Sequence, residues 1–234
     1  MVRNGPRSFV IESRKSRAIG PSEPALDAHL LQSPGIGRRE RRAAETRVKL
    51  FRCALQLFAE RGFSNVTVED ITEAADVGKG TFFNYFETKD HVLGVMVEIQ
   101  LGKVGQAAEL AARGKQTIHS VLHKLALGLA EEPGRSPGLA RAVISSFLAS
   151  ESVRAIIDRN MREGRKAIAA VVAAGQQRGE IDPRLDNDKV ALQLQQTMMG
   201  TVLLWSLQGE PALKKLIEDS FQHFWRSIAI SGKE

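Results

Sequence analysis

Apolar positions recur with helical spacing from about Ala43 onward. Phe51, Ala54, Leu55 and Phe58 fall at i, i+3, i+4 and i+7, which marks one buried stripe on a helix. Gly62 ends that helix in the left-handed conformation after Arg61, and Phe63 folds back onto Phe58. The next start is marked twice. Thr67 and Asp70 are spaced as a capping box, and Val66 and Ile71 stand where a hydrophobic staple would close around it. Val68, Ile71 and Ala75 then line one face of a short helix. Asp76-Val77-Gly78 interrupts it, Lys79 to Phe86 makes another short helix, and Thr88 caps a long one from Lys89 to about Arg113. Two short helices across a three-residue turn predict a helix-turn-helix.

Beyond Gly114 the spacing predicts helices over about Gln116–Glu131, Leu139–Ala149, Glu151–Arg178 and Asp188–Leu207, with a last one reaching about Ile230. Pro133-Gly134, Ser136-Pro137-Gly138, Gly179 with Asp182-Pro183, and Gly209-Glu210-Pro211 separate them. No strand-like alternation and no long repeat is present. The expectation is an all-α fold of about nine helices. A three-helix module over residues 37–90 precedes a ligand-binding and dimerisation domain over 91–234. Residues 1–36, broken by Gly5-Pro6, Gly20-Pro21, Pro24 and Ser33-Pro34-Gly35, read as a disordered basic tail.

Composition narrows the class. The longest apolar run, Ala167–Ala174, has eight residues, far below the ~20 of a membrane span, so no membrane partner is expected. A single cysteine, Cys53, excludes an intramolecular disulfide framework and reads as a core thiol. With no signal-peptide core near the start, the expected location is cytoplasmic. The net charge of +6 is uneven: residues 1–43 carry +5, including Arg38-Arg39-Glu40-Arg41-Arg42, and residues 44–93 carry −2. Charge alone therefore does not establish nucleic-acid binding.

The chemistry of a recognition helix does point that way. Its leading end must offer short or polar groups to the major groove, and its rear must be apolar. Lys79, Gly80, Thr81 and Asn84 meet the first demand, and Val77, Phe82 and Phe86 the second. Lys79 and Lys89 can neutralise phosphates, and Arg47 opens the first helix beside the basic arm. Thr67, with Val68 beside it, presents helix N-terminal N–H groups to another phosphate. Asn84 can pair bidentately with adenine, and Gly80 lets the backbone approach closely.

The segment Ala74-Ala75-Asp76-Val77-Gly78-Lys79-Gly80-Thr81-Phe82-Phe83-Asn84-Tyr85-Phe86-Glu87-Thr88-Lys89, preceded by Phe58-Ala59-Glu60-Arg61-Gly62-Phe63, resembles the DNA-binding signature of TetR-type transcriptional regulators. The resemblance covers about Arg47 to Val97; beyond it only the helix count and a Gly179-Glu180-Ile181 phrase match. It implies a homodimeric repressor on double-stranded DNA with a pseudo-palindromic operator, released by an apolar or amphipathic small-molecule effector. It also implies DNA contacts from the positions of Thr81 and Tyr85. Three positions depart from the pattern: Gly78 replaces a usual Ser, Asp76 a turn glycine, and Phe83 a common Tyr. Gly78 and Phe83 stay among the candidate contacts. The rival is a helical-bundle binding or scaffold protein whose helix-turn-helix is non-functional.

Elsewhere the chemistry is sparse. His119 and His123 share a helix face but lack further ligands, so no metal site is expected. No cofactor is expected and no nucleophile–base pair supports an enzyme. The apolar stripes of the C-terminal part are core by default, and the resemblance implies that some surround a cavity. Leu122, Leu125, Phe147, Met161, Ile168 and Met198 are the candidates. The penultimate helix is apolar around much of its circumference and must be covered on more than one side. With the last helix it supplies a candidate dimer interface of Met199, Leu203, Leu204, Phe221 and Phe224.

Overall fold

Helix α1 spans Arg38–Arg61 and turns Leu50, Phe51, Ala54 and Phe58 fully inward. Those residues are seen in a computed structural model that describes residues 38–230; the expected tail over 1–36 lies outside them. Among the described residues eight α-helices follow α1. They are α2 (Val68–Ala74), α3 (Lys79–Phe83), α4 (Lys89–Arg113), α5 (Ile118–Glu131), α6 (Pro137–Ala149), α7 (Glu151–Gln177), α8 (Asn187–Gln208) and α9 (Leu213–Ile228). The single antiparallel bridge among them joins Ile181 to Ala229. Helix α1 already includes Arg38, five residues before the predicted Ala43, and its Arg- and Ala-rich opening turns have high helix propensity.

Side-chain caps set most other starts, within two residues of those predicted. Helix α6 begins at Pro137, inside the expected Ser136-Pro137-Gly138 break, because Ser136 caps it and Pro suits the first helical turn. Thr88, Thr117, Ser136, Ser150 and Asp186 each accept a hydrogen bond from the backbone N–H three residues on, at 2.9–3.3 Å. Such a cap contributes about 1 kcal/mol and fixes the first turn.

The apolar residues form two clusters. One joins α1, α2 and α3 to the first half of α4 and to parts of α6 and α7; the other fills the space between the rest of α4, α5, α7, α8 and α9. The Gly179-Glu180-Ile181 phrase ties the second together. Glu180 accepts from the N–H of Ile118 at 2.7 Å, and Arg178 donates to the carbonyl of Gln116 at 3.0 Å and to that of Ala111. At one point the halves meet backbone to backbone. A Cβ on Gly138 would lie 2.4 Å from the carbonyl oxygen of Ala59, so only glycine lets the first turn of α6 sit on the last turn of α1.

Candidate nucleic-acid interface

The helix-turn-helix is built from the outside in by its capping groups. Thr67 N–H and Oγ1 donate to the Asp70 carboxylate at 2.8 and 2.6 Å, and Thr67 Oγ1 accepts from Asp70 N–H at 3.1 Å. Those Thr67 bonds hold the Asp70 carboxyl below its usual range. Val66 and Ile71 are buried as the staple requires. Phe63 packs edge-on against Phe58 at 5.1 Å, as expected, but Gly62 takes φ 81°, ψ 149°, not the left-handed helical geometry. Asp76 carries φ 50° in the turn, a region that Asp tolerates. Cys53 donates to the carbonyl of Ala74 at 3.5 Å, and burial pushes its thiol upward.

Helix α3 is shorter than the sequence predicts. It stops at Phe83 with Asn84 as C-cap, because Phe86 must turn back into the core, where it is fully buried beside Phe82. Asn84 is therefore exposed at the end of the helix and Tyr85 half-buried in the turn after it. Gly78, Lys79 and Gly80 are exposed at the start, Thr81 is half-buried, and Phe83 stands 49% exposed. Thr67 is exposed and Val68 half-buried at the head of α2. Lys79 pairs with Glu69 across the turn, on the surface, where such pairs hold their partners weakly.

Lys89 does not stand free for a phosphate, contrary to expectation. Its Nζ donates to the carbonyls of Phe63 and Val66, both at 2.9 Å, and lies 4.6 Å from the Phe63 ring centre. The loop between α1 and α2 gives the Phe63 carbonyl only a long bond from the N–H of Val66, at 3.4 Å, and the ammonium serves both oxygens better. Arg47 is likewise turned inward. It is half-buried with its guanidinium 5.9 Å from the centre of the Phe86 ring.

A cavity of about 330 Å³ lies where the two apolar clusters meet. Phe147, Met161, Ile168 and Met198 line it; Leu122 and Leu125 do not. Those two share a face with Leu129, which does, but stand one to two turns nearer the start of α5, where the core is closed. On α8, Met199, Leu203 and Leu204 are exposed, together with Leu192 and Leu207. Phe221 and Phe224 are not part of that surface. They are 0% and 3% exposed, because the apolar face of α9 is spent inside the protomer against α8 and α5. Phe221 packs on His119 and His123 at 5.5 and 5.1 Å. His119 and His123 stack with ring centres 5.9 Å apart, and burial, then His123, hold His119 below the usual imidazole range. Among the described residues no three metal-ligating side chains cluster.

Two sequence profiles match these regions. The one described as "Bacterial regulatory proteins, tetR family" covers residues 50–96, and "Tetracyclin repressor-like, C-terminal domain" covers residues 141–221. The chain belongs to the TetR family.

Among relatives, the HTH-type transcriptional regulator TcmR of Streptomyces glaucescens is 45% identical over 58 residues, which is 25% of this chain and 26% of that protein. This chain thus matches about a quarter of that relative's length. The probable acrEF/envCD operon repressor of Escherichia coli K12 is 27% identical over 72% of this chain and 79% of its own. The SmeT–triclosan complex, SmeT being from Stenotrophomonas maltophilia, superposes with a TM-score of 0.66 at 18% identity, covering 80% of this chain and 93% of that one.

For a TetR-family chain the residues overlooked in the sequence are the polar ones of the cavity wall: Gln100, Asn160 and Gln195. A signal existed for the first. Gln100 interrupts a lining stripe of Met96, Val97, Leu101 and Val104 at helical spacing on α4. Among the described residues no helix is long and apolar enough to cross a membrane.

Proposed function

We propose that this TetR-family chain is a sequence-specific transcriptional repressor rather than an enzyme. It acts in the cytoplasm as a homodimer on a pseudo-palindromic operator, through its N-terminal three-helix module. A small apolar or amphipathic molecule in the cavity of the C-terminal domain releases it. The observation that carries this reading is Gly80. Among the described residues, nothing beyond its chain neighbours and its own helix backbone lies within 4 Å of where its Cβ would stand, and its φ is not positive. Glycine within a helix costs stability, and here the space it leaves, at the exposed head of α3, admits close approach of a DNA backbone or base edge. Exposed Lys79 and Asn84 flank that space.

Two further features support the reading. The uncovered row of Leu192, Met199, Leu203, Leu204 and Leu207 on α8 suits a two-fold mate, which would set two recognition helices one DNA turn apart or a multiple of it. SmeT is described as the repressor of a multidrug efflux pump and binds triclosan, a precedent for an effector. The inward-turned Lys89 and paired Lys79 favour instead a scaffold with a silent helix-turn-helix.

Fluorescence anisotropy on fragments selected from the parent genome separates the two. Asn84→Ala should relax preference at one operator position, at a cost of about 1–3 kcal/mol. Lys79→Ala should weaken all sequences alike and shallow the salt slope by ~0.9 for each phosphate that is no longer neutralised. Absence of any salt-dependent DNA binding by the wild type would leave the scaffold reading standing.

A further inference from the structure

Taking the cavity as the effector site, we propose that the effector is an uncharged, largely apolar molecule carrying a hydrogen-bond donor, and that the carbonyl oxygen of Gln100 receives that donor. The inference rests on the cavity reading above and adds the chemistry of the ligand. Among the described residues no Lys, Arg, His, Asp or Glu lines the cavity. A carboxylate, phosphate or ammonium drawn inside would lose its hydration and meet no counter-charge, which strongly disfavours it.

Three carboxamides are the polar side chains of the wall. Each has its nitrogen tied to a backbone carbonyl: Gln100 Nε2 to Leu129 at 3.2 Å, Asn160 Nδ2 to Ile156 at 2.8 Å, and Gln195 Nε2 to Met161 at 2.8 Å. A carbonyl only accepts, so these bonds orient every amide with its oxygen away from the anchor. Gln100 differs from the other two in one respect: its Oε1 is buried and has no partner among the described residues. A buried acceptor without a donor is an unmet requirement in an otherwise apolar wall. A hydroxyl or N–H of a bound molecule would meet it. Gln100 also lies on α4, whose first residue, Lys89, is bonded into the helix-turn-helix, so the ligand contact and the DNA-binding module share one helix.

The test uses the full-length dimeric or monomeric protein as purified, with the neutral dye 1-N-phenylnaphthylamine as reporter. Octanol, methyl heptyl ether, octanoate, octylamine and octanoyl-CoA are compared as displacers. Octanol should bind at least about tenfold more tightly than the ether or any charged member, tenfold being ~1.4 kcal/mol. In Gln100→Met the octanol affinity should fall to that of the ether while the ether is unchanged; Gln100→Leu serves if the first variant does not fold. Octanoate, octylamine or octanoyl-CoA binding as tightly as octanol overturns the uncharged class. An alcohol–ether gap absent from the wild type, or intact in the variant, overturns the role of Gln100. Failure of the wild type to take up the dye or any displacer removes the cavity reading and this inference with it, whereas uptake with the wrong rank order removes the inference alone.

Discussion

The two apolar clusters solve the same problem with different side chains. Around the helix-turn-helix, Phe51, Phe58, Phe82 and Phe86 are all fully buried, and Phe63 closes on Phe58 edge to face. A module of short helices has little area to bury and relies on large rings to do it. The second cluster is mostly Val, Leu, Ile and Ala on long helices, and it leaves a cavity where it meets the first. Long helices bury enough surface to tolerate a void. The difference suits a division of labour in which the aromatic module holds α3 in one orientation and the aliphatic bundle keeps room for another molecule.

Breaking one ring should therefore cost more than trimming the cavity wall. Phe82→Ala is expected to lose about 3–5 kcal/mol, seen as a fall in Tm with loss of DNA binding. Met198→Ala, at a wall already facing empty space, should lose clearly less and leave DNA binding intact. Equal losses in urea unfolding would erase the distinction between the regions.

Leu204→Arg tests whether the bundle also unites two modules. Leu204 is 59% exposed, so the protomer should fold normally while dimers disappear in sedimentation experiments. Affinity for a palindromic site should drop by at least ~100-fold, the lower end of what bivalent attachment supplies. Tight palindrome binding by that variant would show that the exposed row on α8 serves something else.

Smaller effects sharpen the module itself. Lys89→Met removes charge-assisted bonds to two carbonyls, and should cost about 2 kcal/mol of stability without changing the salt slope of DNA binding. A changed slope would return Lys89 to the phosphate-contacting set. Gly80→Ala should raise stability by about 0.5–1 kcal/mol, since the added methyl meets open space, while weakening operator binding. A variant that is more stable and binds DNA as well as before would mean that nothing approaches that backbone closely.

The boundaries of most helices were legible because their causes are local. A Thr, Ser or Asp three residues before the N–H it caps, or a break such as Gly209-Glu210-Pro211, can be read without knowing what packs nearby. The same is true of the Thr67–Asp70 box and of the motif from Ala74 to Lys89 that announced the family. The end of α3 was less legible, because burial of Phe86 overrides the local pattern.

The sequence by itself thus determined the helical class, the order of elements and the helix-turn-helix, all written in contacts between residues a few positions apart. Only the tertiary structure decided where longer-range partners fall. Lys89 looks like a surface cation until its ammonium is seen on the carbonyls of Phe63 and Val66. Glu180 reveals its purpose only against the N–H of Ile118, 62 residues away. Leu122 and Met198 are alike on paper, each an apolar residue on a buried stripe, yet one fills the core and the other faces the cavity. Periodicity reports which side of a helix avoids water, and core, cavity and partner surface all satisfy that condition equally; what separates them is whether another atom arrives to fill the space.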